Sequence, residues 1–312
     1  MFVGIDVGGT NLKAGLVDGE GRLLAAARRP LNGFTTAEAF AADLAELALR
    51  AVREGGARVE DLESVGIGLP GAVDGGDVLF TPNIPMENVP LEQLFRRHLD
   101  IPVYLGNDAD CAAVGEFFGG AGRGCRDFVV VTLGTGIGAG IILGGKLRGG
   151  LASSEAGHMV IQQGGELCNC GRRGCWERYA SATALIQQTR AAMEAHPDSG
   201  LYAAAEALGA VDGRTAFQAA LAGVETALSV CRQYVEYLAD GTASLINILR
   251  PEAVAIGGGV AAAPEALLLE PLREIVSREC YARHGGRTTR VLRAELGNDA
   301  GIIGAALLGR VQ

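Results

Sequence analysis

Residues 2–17 are FVGIDVGGTNLKAGLV, and the fold follows from this stretch. Two apolar runs, FVGID and LKAGLV, flank Gly8-Gly9-Thr10, a pattern that predicts two strands joined by a glycine turn. A DGEGR turn then leads to LLAAA, so the opening is expected to be a three-stranded antiparallel unit. The figure returns at residues 127–143, DFVVVTLGTGIGAGIIL, where Gly134-Thr135-Gly136 fill the turn between two further strands. A strand–turn–strand figure that occurs twice, with helical patterns after each copy, predicts an α/β protein of two lobes.

Working outward, Phe40, Leu44, Leu47 and Val52 recur at helical spacing, opened by a Thr35/Glu38 capping box and stopped by Gly55-Gly56. SVGIGL is a buried-strand pattern ending at Pro70-Gly71, followed by an expected polar loop and the strand PVYLG. That strand runs into Asn107-Asp108 and the small-residue helix DADCAAVGEFF. Residues 150–178 read as loop and 180–250 as a helical layer. AVAIGGG then reads as strand and turn, followed by a helix from about Ala263, the strand RVLRAEL and a last helix after Asn298-Asp299. The expected division is a small α/β lobe, residues 1–116 plus 298–312, and a large α/β lobe, residues 117–297, carrying the loop 158–175.

A length of 312 residues allows about two domains with cores of their own. With 48% hydrophobic and 20% charged residues the chain has the composition of a folded protein rather than a disordered one. The 27 basic and 36 acidic residues leave a net charge of −9, which excludes bulk attraction to nucleic acid or an anionic membrane. Any anionic ligand therefore needs a local site. The N-terminus lacks the basic start and apolar run of a signal peptide, and no apolar stretch reaches the roughly 18–20 residues of a membrane span. A cytoplasmic protein is expected, and its seven cysteines, an odd number, point to metal or free thiols before disulfides.

Three glycine turns, Gly8-Gly9-Thr10, Gly134-Thr135-Gly136 and Gly257-Gly258-Gly259, offer backbone N–H groups to an anion. Glycine there permits positive φ and lets phosphate approach the main chain. Asp6 ends the strand before the first turn, where it could hold magnesium through water. Neither a Walker A nor a Rossmann pattern occurs. Asp108, between strand and helix, fits the carboxylate that accepts a hydroxyl proton in phosphoryl transfer. Its position fits a plain helix N-cap equally well, a job Asn107 could also do.

His158, Cys168, Cys170 and Cys175 supply one imidazole and three thiols within eighteen positions, a set suited to closed tetrahedral zinc. One ring nitrogen of His158 can ligate the metal while the other donates to a substrate hydroxyl. Cys111, Cys125, Cys231 and Cys280 are expected in the core, as is Trp176. His98, His196 and His284 read as solvated, and the basic strings GRRG and FRRH lack the interleaved aromatics of a nucleic-acid surface.

GIDVGGTNLKAGLVD resembles the first phosphate motif of the actin-like ATPase superfamily, VTLGTGIGAGII the second, and AIGGGV its adenosine motif. GNDADCAAVGE, EAGHM and CNCGRRGCWE together are similar to the ROK family of bacterial sugar kinases and repressors, over nearly the whole chain. The C-x-C-G-x-x-G-C-x-E string is highly specific. The resemblance implies a two-lobed actin-like ATPase (ribonuclease H-like) α/β fold with nucleotide and sugar in the interlobe cleft. It implies Asp108 as the base and Gly71, Asn107, Asp108, Glu155, His158 and Glu177 as sugar contacts. ATP and Mg2+ would fall to Asp6, Gly8, Gly9, Thr10, Asn11, Lys13, Gly134, Thr135, Gly136, Gly257, Gly258 and Gly259, and structural Zn2+ to the Cys/His cluster.

CWERYAS and ELGNDAGIIGAA resemble the glucokinase branch, so the implied reaction is ATP-dependent phosphorylation of a hexose, glucose first. N-acetylmannosamine, N-acetylglucosamine, mannose or fructose are the alternatives. TPNIPMENVPL places Met86 where many members carry Trp, a departure in the substrate loop. ROK repressors carry a winged helix-turn-helix before the first phosphate motif. Only five residues precede Asp6, so an enzyme is expected rather than a regulator. A zinc hydrolase would need an open coordination position, which four ligands in one loop argue against. The expected partners are sugar and nucleotide in a homodimer or homotetramer, without nucleic acid or membrane.

Overall fold

The computed structural model describes residues 1–312 apart from 32, 34, 35, 83, 150–152 and 282–287. The opening stretch forms β1 (Phe2–Val7), β2 (Asn11–Val17) and β3 (Leu23–Pro30), an antiparallel meander with Asp6 opposite Lys13. Helix α1 (Ala37–Glu54) is capped by Thr36, whose hydroxyl oxygen accepts from the Ala39 N–H (3.2 Å), and ends at Gly55. Thr35, read as the cap, lies outside the described residues. Strand β4 (Ser64–Leu69) pairs in parallel with β1.

Where a polar loop was expected, β5 (Ala72–Asp74), β6 (Asp77–Phe80) and β7 (Glu87–Val89) form a small antiparallel sheet, followed by α2 (Leu91–Arg96). Only Val78 is buried in those three strands, so no alternation of apolar and polar residues announces them. Strand β8 (Val103–Asn107) completes the sheet β3-β2-β1-β4-β8 and runs straight into α3 (Asp108–Gly119).

The second figure forms β9 (Phe128–Leu133), β10 (Ile137–Leu143) and the short β11 (Lys146–Leu147). The helical layer is α4 (Glu177–Ala180), α5 (Ala182–Ala195), α6 (Leu201–Leu208), α7 (Thr215–Leu221) and α8 (Glu225–Leu249). After it come β12 (Ala253–Gly257), α9 (Leu269–Glu279), β13 (Arg290–Arg293) and α10 (Ala300–Leu307). The second sheet has the order β11-β10-β9-β12-β13. The helix expected from about Ala263 is α9, which begins only at Leu269; the 3-10 turn Glu265–Leu267 occupies its expected first residues. Strand β13 stops short of the expected RVLRAEL: the Ala294 N–H still donates to the Ile256 carbonyl (2.9 Å), but the Glu295 and Leu296 N–H groups donate to the Glu116 carboxylate instead (3.0 and 2.7 Å).

Two compact units result, one of residues 1–130, 140–154 and 295–312, the other of 131–139 and 155–294. The boundary expected after residue 116 falls inside α3, in the first unit. Here α10 packs so closely on α3 that a Cβ at Gly115 would overlap Ala300. The first unit's core lies on both faces of its sheet. Every residue of β4 is buried, and all of β1 except Asp6, which is why both read as continuous apolar runs. A Cβ on Gly4 or Gly66 would overlap the carbonyl of Ile302 or Ala305, so glycine at these positions lets α10 lie flat on β1 and β4.

Cys111, Cys125, Cys231 and Cys280 are buried, as expected. His98 and His196 are exposed, and His284 lies outside the described residues. Among the described residues no helix is long and apolar enough to cross a membrane.

Candidate active site

In the first unit, Asp6, Gly71 and Asp108 stand at or just beyond the carboxyl ends of three neighbouring parallel strands, β1, β4 and β8. This is the edge at which α/β sheets hold ligands. Asn107 is the N-cap of α3: its Oδ1 accepts from the Ala109 N–H (2.8 Å) and its Nδ2 donates to the Gly71 carbonyl (2.9 Å). Asp108 Oδ1 accepts from the same Ala109 N–H (2.8 Å), and its side chain is exposed. Lys13 Nζ lies 3.4 Å from Asp6 Oδ2. In the first turn the Gly8 N–H donates to the Asn11 carbonyl (3.0 Å) and Asn11 Nδ2 to Thr10 Oγ1 (2.9 Å).

The expectation that positive φ explains the turn glycines holds at Gly258 alone (φ +82°). Gly8, Gly9, Gly134, Gly136, Gly257 and Gly259 lie outside the left-handed region. Among the described residues, a Cβ at Gly9, Gly134 or Gly259 would also meet nothing within 4 Å. Packing among the described residues thus gives no reason for glycine at those three, and their open side is where a phosphate could approach the backbone.

In the second unit the turns adjoin, for a Cβ at Gly258 would overlap the backbone of Leu133, the last residue of β9. Glu177 stands beside the second turn, its Oε2 on the Cβ position of Gly136. Trp176 holds it there. The indole is fully buried against Gly241 of α8, its Nε1 donates to the Tyr237 carbonyl (2.8 Å) and its backbone N–H to Met159 (2.8 Å). Trp176 is therefore packing, as expected, and it anchors both Cys175 and Glu177.

Among the described residues, His158, Cys168, Cys170 and Cys175 form a group able to hold a metal ion, their ligand atoms all within 4.8 Å of one another. Cys168 Sγ lies 3.6 Å from His158 Nδ1, and Cys170 Sγ lies 3.6 Å from Cys175 Sγ. A tetrahedral site with Zn–S near 2.3 Å places its sulfurs about 3.8 Å apart, so the spacing and the Cys3His donor set fit zinc. Burial pushes the Cys168 thiol up to about 12 and raises Cys175. The exposed Cys170 is lowered, chiefly by the Arg172 N–H. A divalent cation is what would let all three ionise together.

His158 Nδ1 faces the sulfurs while Nε2 faces Glu155 Oε2 (3.8 Å). Glu177 Oε1 accepts from the Cys168 thiol (3.1 Å) and lies 3.8 Å from His158 Nδ1. The structure thus gathers Glu155, His158, Glu177, the cysteines and the second and third turns in one unit, and Asp6, Lys13, Gly71, Asn107 and Asp108 in the other. Sequence reading missed Glu116, 1% exposed, whose carboxylate accepts from the N–H groups of Ala121, Glu295 and Leu296. The only signal was a glutamate inside a small-residue helix.

Strand order, parallel edges and paired glycine turns define an actin-like ATPase fold of two α/β units. The ROK family pattern matches residues 2–311, and the chain belongs to the ROK family. It is 39% identical to the glucokinase of Thermotoga maritima over 98% of this chain and 96% of that one. Identity to the glucokinase of Streptomyces coelicolor is 36%, over 99% and 98% of the two chains. A solved ROK family glucokinase from Streptomyces griseus, in complex with glucose and AMPPNP, matches with a TM-score of 0.76 and 36% identity over 99% of both chains.

Proposed function

We propose that this protein is a glucokinase: it transfers the γ-phosphoryl group of ATP to the 6-hydroxyl of glucose, releasing ADP and glucose 6-phosphate. Full-length kinship with proteins named glucokinase, and with one held with glucose and AMPPNP, supports ATP-dependent hexose phosphorylation. The observation that carries the sugar site is the meeting of Glu155, His158 and Glu177 on one metal-ready loop beside the second glycine turn.

In this reading Asp108 takes the proton of the 6-hydroxyl as that oxygen attacks the γ-phosphorus. Asn107 caps the helix beneath it and ties it to Gly71. Glu155 and Glu177 accept bonds from sugar hydroxyls, and His158 donates one from Nε2. The turns Gly8–Thr10 and Gly134–Gly136 receive phosphate oxygens on their backbone N–H groups, with Asn11 and the Thr10 and Thr135 hydroxyls beside them. Gly257–Gly259 takes the adenosine. The Asp6 carboxylate, partly exposed at its strand end, would hold Mg2+ through water, and Lys13 adds positive charge at the phosphates. Zn2+, held by His158 Nδ1 and the three Sγ atoms, would supply a closed structural brace with no position open to water.

The proposal extends to a cytoplasmic homodimer or homotetramer that feeds glucose 6-phosphate into glycolysis. A nucleic-acid partner is not part of it, in keeping with the net charge of −9. The test is a panel of aldoses, ketoses and amino sugars with MgATP or polyphosphate, read by coupled ADP release and by NMR of the product. Glucose with MgATP should give the highest kcat/KM. A higher value for N-acetylmannosamine, N-acetylglucosamine, mannose or fructose would replace glucose as the substrate, and no turnover with any sugar would end the kinase reading.

A further inference from the structure

Gly134 and Gly136 belong to one turn yet have different surroundings. Among the described residues a Cβ at Gly134 would meet nothing within 4 Å, whereas one at Gly136 would overlap Glu177 Oε2, with the carboxylate carbon 3.6 Å away. Among the described residues, leaving aside its two chain neighbours, no other heavy atom stands within 4 Å of that Cβ position. The φ of Gly136 lies outside the left-handed region, so its backbone does not call for glycine. What calls for it is the carboxylate resting on its Cα.

Glu177 has little freedom to retreat as a whole. It opens α4 directly after Trp176, whose ring is buried against Gly241 and whose Nε1 is bonded to Tyr237. An added methyl at position 136 would therefore be met by rotation of the Glu177 side chain, which is inexpensive, and not by movement of the helix. That rotation would also draw Oε1 away from Cys168 (3.1 Å) and His158 (3.8 Å).

We propose that Gly136 is a positioning residue for the hexose: its backbone N–H, which an alanine would keep, serves the phosphates, while its missing side chain leaves the space in which the Glu177 carboxylate is held, so that a side chain there costs sugar affinity rather than grip on the nucleotide. The turn has two duties, Gly134 leaving an open side toward a phosphate and Gly136 a seat for the carboxylate. This rests on the proposed role of Glu177 as a sugar contact, and the experiment separates the two.

Zinc-loaded Gly136→Ala, Glu177→Asp, the double variant and Gly134→Ala are titrated calorimetrically with glucose and, separately, with AMPPNP, and their melting is followed by circular dichroism. Glu177→Asp shortens the side chain by one methylene and relieves the overlap, so the double variant keeps the test alive should Gly136→Ala fold poorly. Expected are an approximately tenfold loss of glucose affinity in Gly136→Ala, an AMPPNP Kd within about twofold, and a further loss below about twofold when Gly136→Ala is added to Glu177→Asp. Gly134→Ala should reverse the pattern. Loss of AMPPNP affinity equal to that of glucose in Gly136→Ala, or full additivity in the double variant, overturns the inference. Unchanged glucose binding in Glu177→Asp instead removes Glu177 from the sugar site, and the inference falls with it.

Discussion

Asn107 and Asp108 are adjacent residues on which the local pattern placed two jobs. Asn107 is the N-cap, bonded on one side to Ala109 and on the other to Gly71. Asp108 bonds the same Ala109 N–H through Oδ1, and an Asn in its place could keep that bond through its amide oxygen. Asp108→Asn should thus melt within a few degrees of the wild type and keep hexose binding largely intact while losing about 10²- to 10⁴-fold in rate, the share of a general base. Steady-state turnover beside calorimetric sugar binding reads both, and turnover near the wild-type rate would move the base elsewhere. In a bare sequence the two residues could not be told apart, because either side chain can cap a helix.

At the scale of elements, the segment 158–177 contains hardly any regular structure. Its order comes from the bridges Val160–Cys175 and Leu167–Arg173, from the Trp176 anchor and from four potential metal ligands. Because Glu155, His158 and Glu177 flank or belong to that segment, metal and sugar affinity should fall together. Purified protein is expected to carry about one zinc per chain, and Cys170→Ser to lower both the melting temperature and the hexose affinity. Elemental analysis, melting curves and calorimetry test this; full activity in metal-free protein after chelation would refute it. Fully buried strands such as β4 and β12 were legible because burial on both faces leaves an unbroken apolar run. Strands β5 to β7 were not, since three or four mostly wet residues carry no period.

At the scale of the whole molecule, acid should unfold the chain through paired carboxylates. Asp212 is held below the usual carboxylate range by the Arg214 guanidinium hydrogen-bonded to it (Nε 2.9 Å), and Asp61 by Arg58 (3.0 Å). A folded pKa below the unfolded value of about 3.9 means the unfolded chain binds the proton more readily, so stability rises with pH across this range. The contribution is complete above about pH 5 and is lost as pH falls through the folded values. Melting temperature should therefore drop between about pH 5 and 3, and drop less steeply in Asp212→Asn. A flat profile, or one unaltered by that substitution, would assign acid sensitivity to other groups.

The features legible from residue order alone are those whose parts lie close along the chain: the two strand–turn–strand figures, the helical layer, and a cluster whose four ligands span eighteen positions. Periodicity and spacing are local quantities, and these features are local. Tertiary structure alone decided which distant groups meet. The Glu177 carboxylate lies against Gly136, Gly258 closes on Leu133, and just beyond β13 Glu116 takes N–H groups 179 and 180 residues away. Those contacts follow from strand order and from a tryptophan wedged under one helix, and no window along the chain contains both partners.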